Sequence, residues 1–266
     1  MIILTLNTIL PHVVKTAKKA GAFIKKERES FNNSKVEVKG LNDLVSYVDK
    51  TAEEMIVNDL SEIIPGCGFI VEENSAGGGK KEYNWIVDPL DGTTNFVHGI
   101  PCYAVSIALE HNGEIVLGVV FEITRNECFT AVKGRGAYLN NNPIKVSENK
   151  RLKDSLIATG FPIYNFTKLD GYMNALKHLM QHTHGVRRIG AAAPDLCYLA
   201  CGRVDGFFEY NLSPWDVAAA ALIVEEAGGT ITDFKDGDNW LYGKEIIGTN
   251  GLIKDEFNDV VIGNLM

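Results

Sequence analysis

The chain has 266 residues, 26 Lys and Arg against 34 Asp and Glu, a formal charge of −8 and 45% hydrophobic residues. That composition excludes a disordered, collagen-like or disulfide-dense protein. The acidic balance argues against nucleic acid as a partner, since tracking its backbone calls for a basic footprint. Met1 to Leu10 is apolar but lacks a basic start and a small-residue cleavage site, so it is expected to lead into a helix rather than act as a signal peptide. Val13, Val14, Ala17, Ala20, Ala22 and Ile24 then form an apolar stripe between lysines, which predicts a helix over Thr8 to Arg28. Asn32 to Asn42 is polar and reads as a strand and loop, and a second helix is expected from Asp43 to Ile64, stopped by Pro65-Gly66. Ala76 to Lys81, with three consecutive glycines, has a flexible composition.

Trp85-Ile86-Val87 is a short apolar strand predicted to end at Asp88. Strands are expected at 104–110, 115–124 and 127–133, joined by turns at Asn112-Gly113, Arg125-Asn126 and Gly134-Arg135-Gly136. From about residue 150 the pattern alternates: strand 155–159, helix 170–182, helix 192–200, strand 204–210, helix 217–227 and strand 230–233. That change predicts one catalytic unit with an N-terminal lobe over 1–149 and a C-terminal lobe over 150–266. No apolar run reaches the roughly 18 residues a membrane-spanning helix needs. Five cysteines without a CxxC pair predict reduced thiols and a cytoplasmic protein.

The chemistry concentrates in WIVDPLDGTTNF, residues 85–96. Pro89 and Asp91-Gly92 break the strand and place Asp88 and Asp91 together at its end. Thr93, Thr94 and Asn95 are suited to open a helix whose free N–H groups face the same point. Two carboxylates, the Leu90 carbonyl and water are what Mg²⁺ prefers, and a helix start beside them is what a phosphate prefers. A solvated Asp-Gly turn is the competing reading. Three further acidic elements are ambiguous alone. Glu72-Glu73 is either a surface pair or one that meets a cation. Asp216, after Ser213-Pro214-Trp215, is either a helix cap or a ligand. Asp43 and Asp49 either serve a helix dipole or belong to a site.

Taken together, WIVDPLDGTTNF, the upstream Glu-Glu pair, DLVSYVD at 43–49 and WDVAAAALIVEEAGG at 215–229 resemble the inositol monophosphatase family, in order along almost the whole chain. The resemblance implies a layered α-β-α-β-α sandwich of the inositol monophosphatase/fructose-1,6-bisphosphatase type, a homodimer, and Mg²⁺-dependent, lithium-sensitive hydrolysis of phosphomonoesters. It implies Glu72, Asp88 and the Leu90 carbonyl on a first metal and Asp88, Asp91 and Asp216 on a second. Asp49 and Thr93 are implied to activate the attacking water, with Glu72 also catalytic. On the substrate side it implies the Gly92 and Thr93 amides on the phosphate, Asp91 beside them, Glu209 on a hydroxyl, and Gly190, Ala191 and Ala192 along the ring. Ala220 and Pro194 depart from the family pattern and are expected to bear on substrate preference. Inositol monophosphate is the first substrate expectation; fructose 1,6-bisphosphate, NADP and histidinol phosphate are alternatives. A regulatory binding protein on the same fold is the reading of another class. His178, His182 and His184 read as a solvated helix end, and Arg187-Arg188 as either a surface pair or a phosphate contact.

Overall fold

Apolar residues at helical spacing bury one face of α1 (Leu6–Glu29), through Ile9, Val13, Ala17, Ala20 and Ile24. The computed structural model describes residues 6–31, 36–40, 43–73, 80–162 and 164–266, and of 36–40 and 43–45 the backbone alone. β1 (Val36–Gly40) pairs antiparallel with β2 (Asp43–Ser46), and α2 follows over Tyr47–Ile63. Asp43 therefore lies in a strand, not in the first turn of a helix. The helix starts later because Ser46 is extended and caps it, its hydroxyl accepting the Val48 N–H while Asp49 reaches back to the Ser46 N–H. Of the glycine-rich tract, only Lys80 and Lys81 fall within the described residues.

A seven-stranded sheet comes next: β3 (Gly68–Val71), β4 (Tyr83–Asp91), β5 (Ala104–His111), β6 (Glu114–Glu122), β7 (Glu127–Val132), β8 (Ala137–Leu139) and β9 (Asn142–Ile144), in that spatial order. α3 (Thr93–His98) leaves the end of β4. β3 and β4 are parallel and every later pair is antiparallel. The β5–β6 hairpin turns on Asn112 and Gly113, with φ of 52° and 92°, the conformation that Asn-Gly adopts at least cost.

The second half builds β10 (Leu156–Thr159), α4 (Leu169–His182), β11 (Gly185–Arg187), α5 (Ala192–Ala200), β12 (Gly206–Tyr210), α6 (Pro214–Glu226), β13 (Thr230–Thr232), β14 (Glu245–Thr249) and α7 (Lys254–Leu265). Its sheet has the order β11-β10-β12-β14-β13 and mixes parallel and antiparallel pairs. β11, β14 and α7 carry no strong sequence signal: the first is three residues long, and the others follow the polar stretch 235–245.

Three apolar cores separate five layers. The first lies between α1/α2 and the large sheet and takes Trp85, Val87, Val105, Ile107 and Val119. The second lies between the two sheets, around α5 and α6, and takes Ile86, Val120, Phe129 and Leu196. The third covers the outer face of the small sheet with α4 and α7. The layers run α-β-α-β-α, as the resemblance implied. Alternate residues of β4 thus feed opposite cores, which is why WIV reads as continuously apolar. Where α6 crosses the large sheet, both surfaces are small. A Cβ on Gly118 would come within 2.5 Å of the Ala219 carbonyl oxygen, so this glycine and the alanine row of α6 let helix and strand touch. That contact, with the Ser106 hydroxyl on the Trp215 carbonyl at 3.2 Å, delivers the first turn of α6 to the end of β4.

Candidate active site

The end of β4 is built by a bulge. Asp88 pairs with Ser106 and Asp91 with Ala104, so β4 places one extra residue against β5. The strand continues to Asp91 rather than stopping at Asp88; Pro89 is tolerated because the bulge removes the need for its missing N–H. Asp88 Oδ1 accepts the Leu90 N–H at 2.9 Å, closing a tight local turn. Gly92, at φ 90°, then starts α3, whose residue Asn95 donates to the Cys102 and Ile189 carbonyls at 2.8 and 2.9 Å. This amide ties the β4 turn to the segment entering α5.

Thr93 hydrogen-bonds Asp49 Oδ1 at 2.9 Å and lies 3.0 Å from the Leu90 carbonyl oxygen. Asp49 is fully buried, and its other oxygen accepts from both the Ser46 N–H and the Ser46 hydroxyl. Burial raises its pKa against the pull of those bonds. It has no surface in the adjoining cavity and reaches it only through Thr93. Glu53, buried on α2, accepts the Glu73 N–H at 2.7 Å and so fixes the backbone beside Glu72.

A cavity of about 280 Å³ gathers the rest: Glu72, Asp88, Leu90, Asp91, Gly92 and Thr93 on one wall, with Asp216 from α6. Gly190, Ala191, Ala192 and Glu209 form the other wall, which meets the first where Ala191 lies against Gly92 and the Ala193 N–H reaches Asp91. Of the metal, catalytic and substrate residues that the resemblance implied, all but Asp49 line the cavity. Glu73, Ala220 and Pro194 do not, so the two departures from the family pattern act on helix packing and not on the cavity wall. Asp216 serves the start of α6, its Oδ2 accepting the Ser213 N–H at 2.6 Å in a capping box, and it also lines the cavity shared with the carboxylates of β4.

Burial of so much acid is electrostatically costly. Desolvation, then Glu72, Asp91 and Asp216, push the Asp88 carboxyl well above its usual range. Desolvation, then the neighbouring Asp91, do the same to Asp216. Asp91 rises to about 6 through burial, with the Ala193 and Ala192 amides and Arg188 holding it down. Glu209 rises to about 8, through burial and then Asp91, with Arg188 opposing. Among the described residues no three acidic, His or Cys side chains stand in a ready ligand cage. Asp88, Asp91 and Asp216 each turn an oxygen to a backbone amide: Asp88 to Leu90, Asp91 to Ala193 at 2.7 Å, Asp216 to Ser213. The donor set is nonetheless hard oxygen throughout, and carboxylates keep lone pairs beyond one amide bond. Such donors fit Mg²⁺ or a similar hard cation and do not fit zinc.

The sequence profile of the inositol monophosphatase family matches residues 5–262. The chain belongs to that family. It is 44% identical over 246 residues to a putative Nus factor SuhB of Neisseria meningitidis serogroup B, covering 92% of this chain and 94% of that one. It is 41% identical over 249 residues to an inositol-1-monophosphatase of Mesorhizobium japonicum, covering 93% and 94%. The crystal structure of the extragenic suppressor protein suhB from Bartonella henselae superimposes with a TM-score of 0.90 at 42% identity, covering 96% of this chain and 98% of that one. The protein is thus a phosphomonoester hydrolase of the inositol monophosphatase family.

Asp195, Gly160 and Tyr164 of the cavity wall escaped the sequence reading, which left Arg188 as either a surface residue or a phosphate contact. Asp195, on the first turn of α5, is buried with an unpartnered Oδ1 and a strongly raised pKa caused by burial, then by Glu209 and Asp91. Gly160 lies against Glu209, where a Cβ would fall about 2 Å from the carboxylate. Tyr164 and Arg188 line the cavity as well. Arg188 had a visible signal, the Arg-Arg pair ahead of the glycine, but no spacing rule says which of the two turns inward. The histidines stay outside: His178 and His182 stack at 4.3 Å on the exposed end of α4. Gly134-Arg135-Gly136 is a turn whose three amides grip the Glu226 carboxylate at 2.7–3.0 Å, pinning the end of α6. All five cysteines are unpaired, and no described helix is long and apolar enough to cross a membrane.

Proposed function

We propose that this enzyme hydrolyses a small polyol phosphate, inositol monophosphate first among them, by in-line attack of water. One observation carries the reading: oxygen donors from residues 72, 88–91 and 216, remote in sequence, line one cavity beside a hydroxyl already bonded to a buried carboxylate. Glu72, Asp88 and the Leu90 carbonyl would hold one Mg²⁺, and Asp88, Asp91 and Asp216 would hold a second. When bound, Mg²⁺ neutralises the phosphoryl oxygens and leaving alkoxide and makes water a stronger acid. Thr93 donates its hydroxyl hydrogen bond to Asp49 and keeps an oxygen lone pair to accept one from the attacking water. As the water attacks, its proton passes to the Thr93 oxygen and the Thr93 proton passes to Asp49, the terminal acceptor, shielded from solvent. The Gly92 and Thr93 amides face the phosphate, and Glu209 accepts a substrate hydroxyl opposite Gly190, Ala191 and Ala192.

With this reading go inhibition by lithium, a homodimeric assembly and a cytoplasmic location. Fructose 1,6-bisphosphate, NADP and histidinol phosphate fit the same chemistry as alternative substrates. Relatives named Nus factor favour a second role, partner binding on the same fold, which the retained carboxylates leave compatible with catalysis. Phosphate release from a phosphomonoester panel, with Mg²⁺ and with chelator, tests the proposal. Release that ignores the chelator would overturn it.

A further inference from the structure

Arg188 is the one basic residue among those lining the cavity. Its field reaches Asp91, Asp195 and Glu209, yet it makes no ion pair or hydrogen bond with a described residue. Its position is nonetheless set from two sides. Gly190, at φ 103°, has no Cβ; one there would lie 2.6 Å from Nη1, so the guanidinium rests directly on the backbone that lines the cavity. On the other side it stacks over Phe161, 5.5 Å from the ring centroid. Phe161 meets buried Tyr172 edge-on at 6.3 Å, and the Tyr172 hydroxyl donates to the Gly160 carbonyl at 2.7 Å. The segment after β11 is fixed by Asn95 on the Ile189 carbonyl. A planar cation has thus been oriented at the cavity with its donors unused, next to three acids it does not pair with. Guanidinium donors in a fixed fork match an oxyanion bidentately. The scissile phosphate is already provided for on the opposite wall.

We propose that Arg188 is a specificity-determining residue that receives a second oxyanion where the substrate carries one, so that a small phosphomonoester bearing a further phosphate or carboxylate gains over the same compound without it. The inference rests on the phosphatase reading above and names a substrate class for that site. Phe161 is a positioning residue that holds the guanidinium in place.

The test compares initial rates of phosphate release within two pairs: 2-phosphoglycerate against glycerol 2-phosphate, and fructose 1,6-bisphosphate against fructose 1-phosphate. The first pair reports a carboxylate and the second a phosphate. The wild-type enzyme is expected to prefer the doubly anionic member of at least one pair by about tenfold in kcat/KM. Arg188→Gln collapses that ratio through KM, Arg188→Lys keeps part of it, and Phe161→Leu reduces it about two- to fivefold. The ratio also shrinks with added salt. A ratio unchanged by Arg188→Gln, both members falling together, places the guanidinium on the scissile phosphate or on no ligand at all and overturns the inference alone. Failure of the wild-type enzyme to hydrolyse any of the four compounds with Mg²⁺ overturns the phosphatase reading and the inference with it.

Discussion

The two walls of the cavity are made differently. The carboxylate wall is mostly one short segment, Asp88 to Thr93, bent by a proline, a bulge and a left-handed glycine. The opposite wall collects Gly160, Arg188, Asp195 and Glu209 from separate elements around the five-stranded sheet. A wall of local origin is rigid by its own turn chemistry. A wall assembled from distant elements depends on how α5, β12 and the segment after β10 pack, and it is tied to the first through the Ala193 N–H on Asp91 and Asn95 on the Ile189 carbonyl. In the proposed reading, reaction type belongs to one wall and substrate choice to the other.

That division can be broken in order of effect. Asp88→Asn removes the carboxylate common to both proposed metals and should lower phosphate release by about 10³-fold, several kcal/mol of transition-state stabilisation. Activity within tenfold of wild type would show that the carboxylate wall is not the reacting one. Thr93→Ala should lower kcat by about 10²-fold through loss of the proton path to Asp49, while Mg²⁺ affinity by calorimetry shifts far less. An equal loss in both would assign Thr93 to metal binding.

The third probe is pH. Glu209 ionises near 4.5 when exposed and near 8 in the fold. Between those values the folded state holds the extra proton, so stability of the metal-free protein falls as pH rises, by at most about 1.4 kcal/mol per unit from this group. Urea melts with chelator should show that slope, and Glu209→Gln should flatten it. Parallel curves for the two proteins would mean Glu209 is already ionised in the fold. Ser46→Ala is the smallest change. It removes the cap of α2 and one bond to Asp49, and should cost about 1 kcal/mol in the same assay.

How much was legible follows the same division. The ligand side could be read because turn chemistry is local: Asp-Pro-Leu-Asp-Gly can do little but expose two carboxylates at a strand end. The hairpins on Asn112-Gly113 and Gly134 to Gly136 were legible for the same reason. Asp43 was misread because an acid before an apolar run imitates a helix start, and only pairing with β1 places it in a strand. Asp195 was missed, and Arg188 stayed between a surface pair and a phosphate contact, because nothing near them in sequence distinguishes an inward charge from a solvated one. Asp216 stayed ambiguous because capping and facing the cavity demand the same residue at the same place.

From the chain alone came the elements, the bent end of β4 and the acidic chemistry at it, since these depend on interactions spanning a few residues. What only the assembled molecule decided is the convergence. Gly118 against Ala219 sets α6 so that Asp216 meets Asp88, and α2 packs so that Asp49 meets Thr93. The small sheet turns Arg188 and Glu209 toward the same space. Contacts between residues a hundred positions apart are fixed by close packing of layers, and packing is a property of the whole core that no local pattern encodes.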